Sequence, residues 1–303
     1  MNPYAYPPAD YNFRLKQIAS KGNYELFEVT FRPAFSDAAI GGSTARGEFY
    51  RPKQEAPAPL AIIAHGMGNT SLIPPRWLAL SLVKKGWAVY LPYLTVHSDR
   101  TPKIRNPLSI SSDEWLTIYH TSVVEMRQAL EWAAKRKEID KRRMVIIGIS
   151  FGGFVAAITM ALEPDIKAGI LIESGGNATK INYLSPVMRR HYGHIPISYE
   201  KVQEEFQAFL ARVAERGLEE SSLANPHFLT DPLTFAFMLH GRPLLMINGY
   251  FDALIPRAAA LEMARAAQAQ HIRWLPAGHL SLWLWYPLIS RMMRAFLREA
   301  LPQ

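Results

Sequence analysis

The chain has 303 residues, 49% of them hydrophobic, enough to bury a large core as one α/β domain or as two smaller ones. It contains no cysteine, which excludes disulfides, cysteine-ligated zinc and a thiol nucleophile, and no apolar run reaches the length of a bilayer span. The formal charge of +8 raises the question of a nucleic-acid partner. The densest basic stretch, KRKEIDKRR at 135–143, has no interleaved aromatic residue for stacking on bases and falls where a helix ends and a strand begins, so no nucleic-acid binding is expected.

The N-terminal stretch MNPYAYPPADYNFRLKQ lacks a basic segment followed by an apolar one, so it does not read as a secretory signal and a cytoplasmic location is expected. YELFEVTFRPA (24–34) and STARGEFYRP (43–52) read as an antiparallel pair of strands joined through Gly41-Gly42. PLAIIAHG (59–66) is a continuous apolar run of the kind buried on both faces, followed by a helical stretch through Trp77 to Lys85 and a strand in WAVYLPYL (87–94). Ser111 with Glu114 three residues on forms a capping box for a helix reaching about Lys135.

RRMVIIGI, KAGILIES (167–174), RPLLMINGY (242–250) and HIRWLP (271–276) read as further strands, with a helix in FGGFVAAITMAL. Strands alternating with helices predict an α/β fold: a mostly parallel central sheet flanked by helices. The alternation breaks between Gly175 and about His240. SYEKVQEEFQAFLARVAERG has Val202, Phe206, Phe209, Leu210 and Val213 on one face, Ser198 as cap and Gly217 as stop. The expected organisation is therefore a core of residues 1–175 and 241–303 with a helical cap inserted at 176–240.

In an open parallel sheet, ligands bind at the carboxyl ends of the strands. Just past those ends lie His65-Gly66-Met67-Gly68, Ser150, Asp252 and His279. A serine hydroxyl becomes a useful nucleophile when an imidazole takes its proton and a carboxylate fixes the imidazole tautomer. Ser150, His279 and Asp252 supply those functions, in the chain order Ser, Asp, His.

With GISFG at 148–152 as a G-x-S-x-G turn, the sequence resembles the α/β-hydrolase superfamily from about residue 24 to 300. The resemblance implies that side chains at Gly148 and Gly152 would collide with the adjacent strand and helix. It also implies an oxyanion hole from the backbone N–H groups of Phe151 and Met67; HGMG departs there from the HGGG form of some lipases and esterases. The implied reaction is cleavage of a small-molecule carboxylic ester through an acyl-enzyme, with no cofactor and no metal. The same triad serves thioesterases, peptidases and acyltransferases, and the fold also carries non-catalytic ligand-binding proteins.

Several residues have competing readings. Glu173 in LIES is the second-choice acid, whereas Asp231 is expected to cap a helix beginning at Pro232. His65 is assigned a structural role in its turn. His191 and His194 have an i, i+3 spacing but no third ligand, so no metal site is expected. Tyr93, with Arg100 nearby, is a candidate substrate contact or a packing residue. The last helix, SLWLWYPLISRMMRAFL, carries more large apolar residues than one buried face needs, leaving a homo-oligomer interface or a contact with the cap open.

Overall fold

A computed structural model describes residues 4–37, 40–67, 72–97, 99–105, 110–192, 197–220 and 225–301. Its described strands are β1 (Arg14–Ser20), β2 (Tyr24–Phe31), β3 (Ala45–Pro52), β4 (Ala58–Ala64), β5 (Ala88–Pro92), β6 (Ile139–Ile149), β7 (Ile166–Ile172), β8 (Leu244–Gly249) and β9 (His271–Leu275). They form one sheet in the order β1-β2-β3-β5-β4-β6-β7-β8-β9. The first three strands and the β3–β5 junction are antiparallel, and every pairing from β5–β4 to β8–β9 is parallel.

The helices sort onto the two faces by where their apolar residues fall. α1 (Ile73–Val83) and α8 (Tyr286–Ala300) bury Leu78, Leu82, Ile289 and Met293 against Ile63, Ile147 and Ile247 on one face. α2 (Ser112–Ala134), α3 (Phe151–Leu162) and α7 (Arg257–Ala266) cover the other, where Val123, Val155 and Met263 meet Ile62, Ile146 and Met246. Alternating side chains of one strand, Ile146 and Ile147 for example, thus supply both cores, which is why the central strands read as unbroken apolar runs.

α2 starts as its sequence requires. Ser111 Oγ accepts from the Glu114 N–H at 3.2 Å, and Glu114 Oε2 accepts from the Ser111 N–H at 2.8 Å, so two otherwise unpaired donors of the first turn are satisfied. The basic stretch at 135–143 is interleaved with carboxylates: Lys135 pairs with Glu131 at 2.7 Å, Arg136 Nε with Glu138 at 2.8 Å and Arg143 with Asp140 at 2.9 Å.

Between β7 and β8 the described chain is helical: α4 (Ala178–Leu184), α5 (Pro186–Tyr192), α6 (Tyr199–Glu220) and 3-10 segments at Pro226–Thr230 and Pro232–Leu239. Ser198 Oγ accepts from the Lys201 N–H at 3.2 Å, capping α6. Phe206, Phe209 and Val213 are buried, the two rings lying 4.9 and 5.3 Å from that of Phe228. Gly217, with φ 75°, leaves the helical conformation and stops the first helical run of α6, as expected. Its lack of a Cβ permits the left-handed step, after which the helix resumes to Glu220.

Candidate active site

β6 delivers Ser150 to the carboxyl edge of the sheet, and α3 leaves from the next residue. Ser150 has φ 52° and ψ −119°, a strained conformation for a residue with a Cβ. The turn closes because its neighbours have none: a Cβ on Gly148 would overlap the Gly152 carbonyl oxygen, and one on Gly152 would overlap the Ala64 carbonyl of β4. The Ser150 hydroxyl makes no cap bond to α3. It lies instead 3.0 Å from His279 Nε2.

On its other side, His279 Nδ1 is 2.7 Å from Asp252 Oδ2. Asp252 Oδ1 accepts the backbone N–H groups of Leu254 at 2.8 Å and Ile255 at 2.9 Å, which leaves Oδ2 as the acceptor facing the ring. The imidazole then carries its proton on Nδ1 and presents the Nε2 lone pair to the Ser150 O–H. Asp252 and His279 follow the neighbouring strands β8 and β9, and backbone bonds extend the pairing past them: Tyr250 N–H donates to Leu275 O at 2.8 Å and Phe251 N–H to Ala277 O at 2.9 Å. Such a line can withdraw a proton from the serine as its oxygen attacks an electrophilic carbon.

Phe151 is the first residue of α3, so its N–H belongs to the unpaired donors of a helix N-terminus. Gly66, at the end of β4, sits against the serine: a Cβ there would be 3.5 Å from that of Ser150. Met67 follows it, 40% exposed. The Phe151 ring is covered by Tyr119 and Trp115 of α2, at 4.9 and 6.4 Å between centroids. Phe154, Ile181 and Ile255 pack into a small cluster with Tyr119, Met188 and Leu254, tying α4 and α5 to α3 and to the Asp252 loop.

Of the two competing acids, neither reaches the imidazole. Asp231 is buried and accepts from Leu233 N–H at 3.0 Å, Asn177 N–H at 2.9 Å and Ala178 N–H at 2.6 Å. It caps the Pro232–Leu239 segment and pins the start of α4. Glu173 follows β7 with φ 53° and is 1% exposed. Burial first, then the charge of Asp252, push its carboxyl up to about 9, against a hydrogen bond with Trp283 that acts the other way. At neutral pH Glu173 is a neutral acid beside the Asp252–His279 pair.

His65 is buried, with Nδ1 2.6 Å from Gly66 O and Nε2 accepting the Leu94 N–H at 3.0 Å. Burial pushes its pKa down to about 3, so a neutral ring ties the β4 and β5 ends together. Tyr93 is spent on another network: its hydroxyl donates to Glu48 at 2.8 Å, and its ring stacks on His97 at 4.6 Å. Glu48 also accepts from Tyr50 at 2.5 Å and from Arg76 Nε at 3.1 Å. Arg100 forms a buried pair with Glu125 at 2.6 and 2.8 Å. His194 and the side chain of His191 lie outside the described residues. Among the described residues no group of three His, Cys, Asp or Glu side chains is placed to hold a metal ion.

Sequence reasoning did not anticipate Trp115 and Tyr119 as cover for Phe151, or Asn248, whose Oδ1 accepts the Ser174 N–H at 2.9 Å. An asparagine inside the apolar run LLMING was the available signal for the latter.

Comparison with known proteins decides the family, because the profile of the Alpha/beta hydrolase family matches residues 61–298. The chain belongs to the alpha/beta hydrolase family. The chain is 24% identical over 269 residues to dipeptidyl aminopeptidase BIII of Pseudoxanthomonas mexicana, a match covering 84% of the chain and 33% of that protein. It is 29% identical over 123 residues to the quorum-quenching protein AidA of Acinetobacter baumannii, covering 40% of the chain and 37% of that protein. The chain thus spans about a third of the length of these curated relatives. Its fold matches acetyl xylan esterase 1 from a Thermoanaerobacterium species (TM-score 0.65, 17% identity, 96% and 88% of the two chains). An acetyl xylan esterase from Paenibacillus sp. R4 matches similarly (TM-score 0.66, 17% identity, 97% and 90%).

Proposed function

We propose that this hydrolase cleaves carboxylic esters through a Ser150–His279–Asp252 triad. The observation that supports the reading most directly is the imidazole of His279, within hydrogen-bond distance of Ser150 Oγ on one side and Asp252 Oδ2 on the other. Ser150 Oγ attacks the acyl carbon while its proton passes to His279 Nε2, giving a tetrahedral oxyanion and an imidazolium that Asp252 stabilises. The Phe151 and Met67 N–H groups receive the oxyanion. Collapse breaks the bond to the leaving alcohol, which takes the proton back from His279. Water then repeats the sequence on the acyl-enzyme, releasing the carboxylic acid and restoring Ser150.

The helical insertion of residues 176–240 acts in this reading as a cap over the acyl site, with Ile181, Met188 and Phe154 as apolar wall. The test is hydrolysis of p-nitrophenyl esters of increasing acyl length by the native chain and by Ser150→Ala, alongside covalent labelling by a fluorophosphonate. Activity and labelling are both expected to vanish in the variant, and the dependence on acyl length sizes the pocket. Unchanged turnover in Ser150→Ala refutes the assignment. The likeness to a dipeptidyl aminopeptidase supports a second reading, peptide cleavage by the same triad. Release of p-nitroaniline from dipeptidyl anilides, without ester turnover, selects it.

A further inference from the structure

α8 uses one face on the sheet, burying Ile289, Met293, Phe296 and Leu297, and it packs on α1, β7 and β8. Apolar residues on α8 and in the stretch 280–285 that leads into it point elsewhere. Leu280 and Leu284 are each 84% exposed, and Trp285 and Leu288 are also exposed. On α1, Ile73 and Trp77 are exposed at the i, i+4 spacing that puts them on one helix face. The Trp77 ring lies 4.9 Å from that of Tyr286, whose hydroxyl donates to the Trp77 carbonyl, so the two helices present one continuous apolar shoulder. It adjoins the candidate active site directly: Leu280 follows His279, and α1 is the element after Met67.

The charge of these two helices is strongly unbalanced towards cations. The segments that form the shoulder, residues 72–87 and 276–300, contain Arg76, Lys84, Lys85, Arg291, Arg294 and Arg298 against a single acid, Glu299 at the far end of α8. Arg76 is neutralised by Glu48. The remaining cations lie further along α1 and α8, beyond the exposed leucines and tryptophans. Aromatic rings with a polar edge beside leucines, rimmed by Lys and Arg, fit a phospholipid surface: the apolar side chains enter the acyl boundary and the cations remain among anionic headgroups. A twofold contact between two copies would instead set each cation-rich rim against itself or its neighbour, with Glu299 the one carboxylate in these segments to relieve it.

We infer that the α1–α8 shoulder docks this protein onto an anionic lipid bilayer, with Ile73, Trp77, Leu284, Trp285 and Leu288 entering the interface. The docking is peripheral, since no helix of the described residues is long and apolar enough to cross a membrane. It is independent of which bond the active site cleaves.

The experiment is flotation of the full chain with vesicles of phosphatidylcholine containing phosphatidylglycerol, and with pure phosphatidylcholine, at low and high salt, with sedimentation velocity on the lipid-free protein. The native chain is expected to float with the anionic vesicles, more weakly at high salt and weakly with the neutral ones. Leu284→Ser/Leu288→Ser should weaken vesicle binding by at least about tenfold, and Arg291→Glu/Arg294→Glu should abolish the preference for anionic lipid. All these variants change helix-surface residues and should retain native turnover of a soluble short-chain ester. Absence of flotation, equal binding to both vesicle types, or binding that survives both double variants overturns the inference. So does a lipid-free dimer that Leu284→Ser/Leu288→Ser dissociates without affecting flotation.

Discussion

Replacing Glu173 by glutamine tests the buried acid beside Asp252. In the folded protein its carboxyl is pushed from 4.5 to about 9, by burial foremost and then by the Asp252 charge. Between those values the unfolded chain releases a proton that the folded chain retains, so folding is penalised increasingly as pH rises. The contribution is fully favourable below about pH 4.5 and is lost as pH climbs toward about 9, at a slope of about 1.4 kcal/mol per pH unit. From pH 5 to pH 8 the native protein should therefore lose about 4 kcal/mol through this group alone. Glu173→Gln preserves the shape and an oxygen for the hydrogen bond with Trp283, and has no proton to give up. Urea unfolding at pH 5, 6, 7 and 8 should show the variant gaining on the native chain with each step, with the largest advantage at pH 8. A stability difference that stays level across that range refutes the neutral-acid reasoning.

Asp252→Asn should leave the fold intact and lower ester turnover by about four orders of magnitude, because an amide facing Nδ1 selects the wrong imidazole tautomer; steady-state kinetics decide it. Gly152→Ala should cost about 3 kcal/mol or more of stability by urea titration, since its Cβ would meet the Ala64 carbonyl of a central strand. Arg100→Ala should cost about 3–5 kcal/mol by leaving Glu125 buried without its partner, and Arg100→Met/Glu125→Leu should recover most of that loss. His65, held near pKa 3 by burial, stays neutral when folded while the unfolded ring protonates below about 6.5. Acid should therefore erode stability by about 1.4 kcal/mol per unit from pH 6.5 downward, and His65→Gln should remove that part of the slope.

The central strands were legible because each is buried on both faces and so is apolar at successive positions, as MVIIGI is. The serine turn was legible because steric exclusion at Gly148 and Gly152 leaves a residue-level mark. Chain order does not separate Asp252 from Glu173, since both fall between Ser150 and His279; the 2.7 Å contact with the imidazole belongs to Asp252. β1 escaped notice: RLKQIAS is exposed at most positions, and an edge strand that turns little more than Leu15 to the core leaves no period-2 signal. Gly217 read as a helix stop, and its non-helical backbone does break α6 there; the short helical turn that follows to Glu220 left no signal of its own. The hydroxyl of Tyr93 could not be assigned because its partner Glu48 lies 45 residues away on β3, a pairing fixed by sheet order. The protonated state of Glu173 likewise depends on which residues surround it, not on its neighbours in LIES.

The backbone bonds from Tyr250 to Leu275 and from Phe251 to Ala277 join the acid loop and the base loop into a single ribbon beyond the last two strands. Ser150 is tied into the same ribbon: its N–H donates to Ile172 O at 2.8 Å, and the Glu173 N–H to Ile247 O at 2.8 Å. Serine, acid and base therefore stand on one continuous run of cross-strand bonds that outlasts β6, β7, β8 and β9. In hydrogen exchange the amides of residues 150, 173, 250 and 251 should open as one unit.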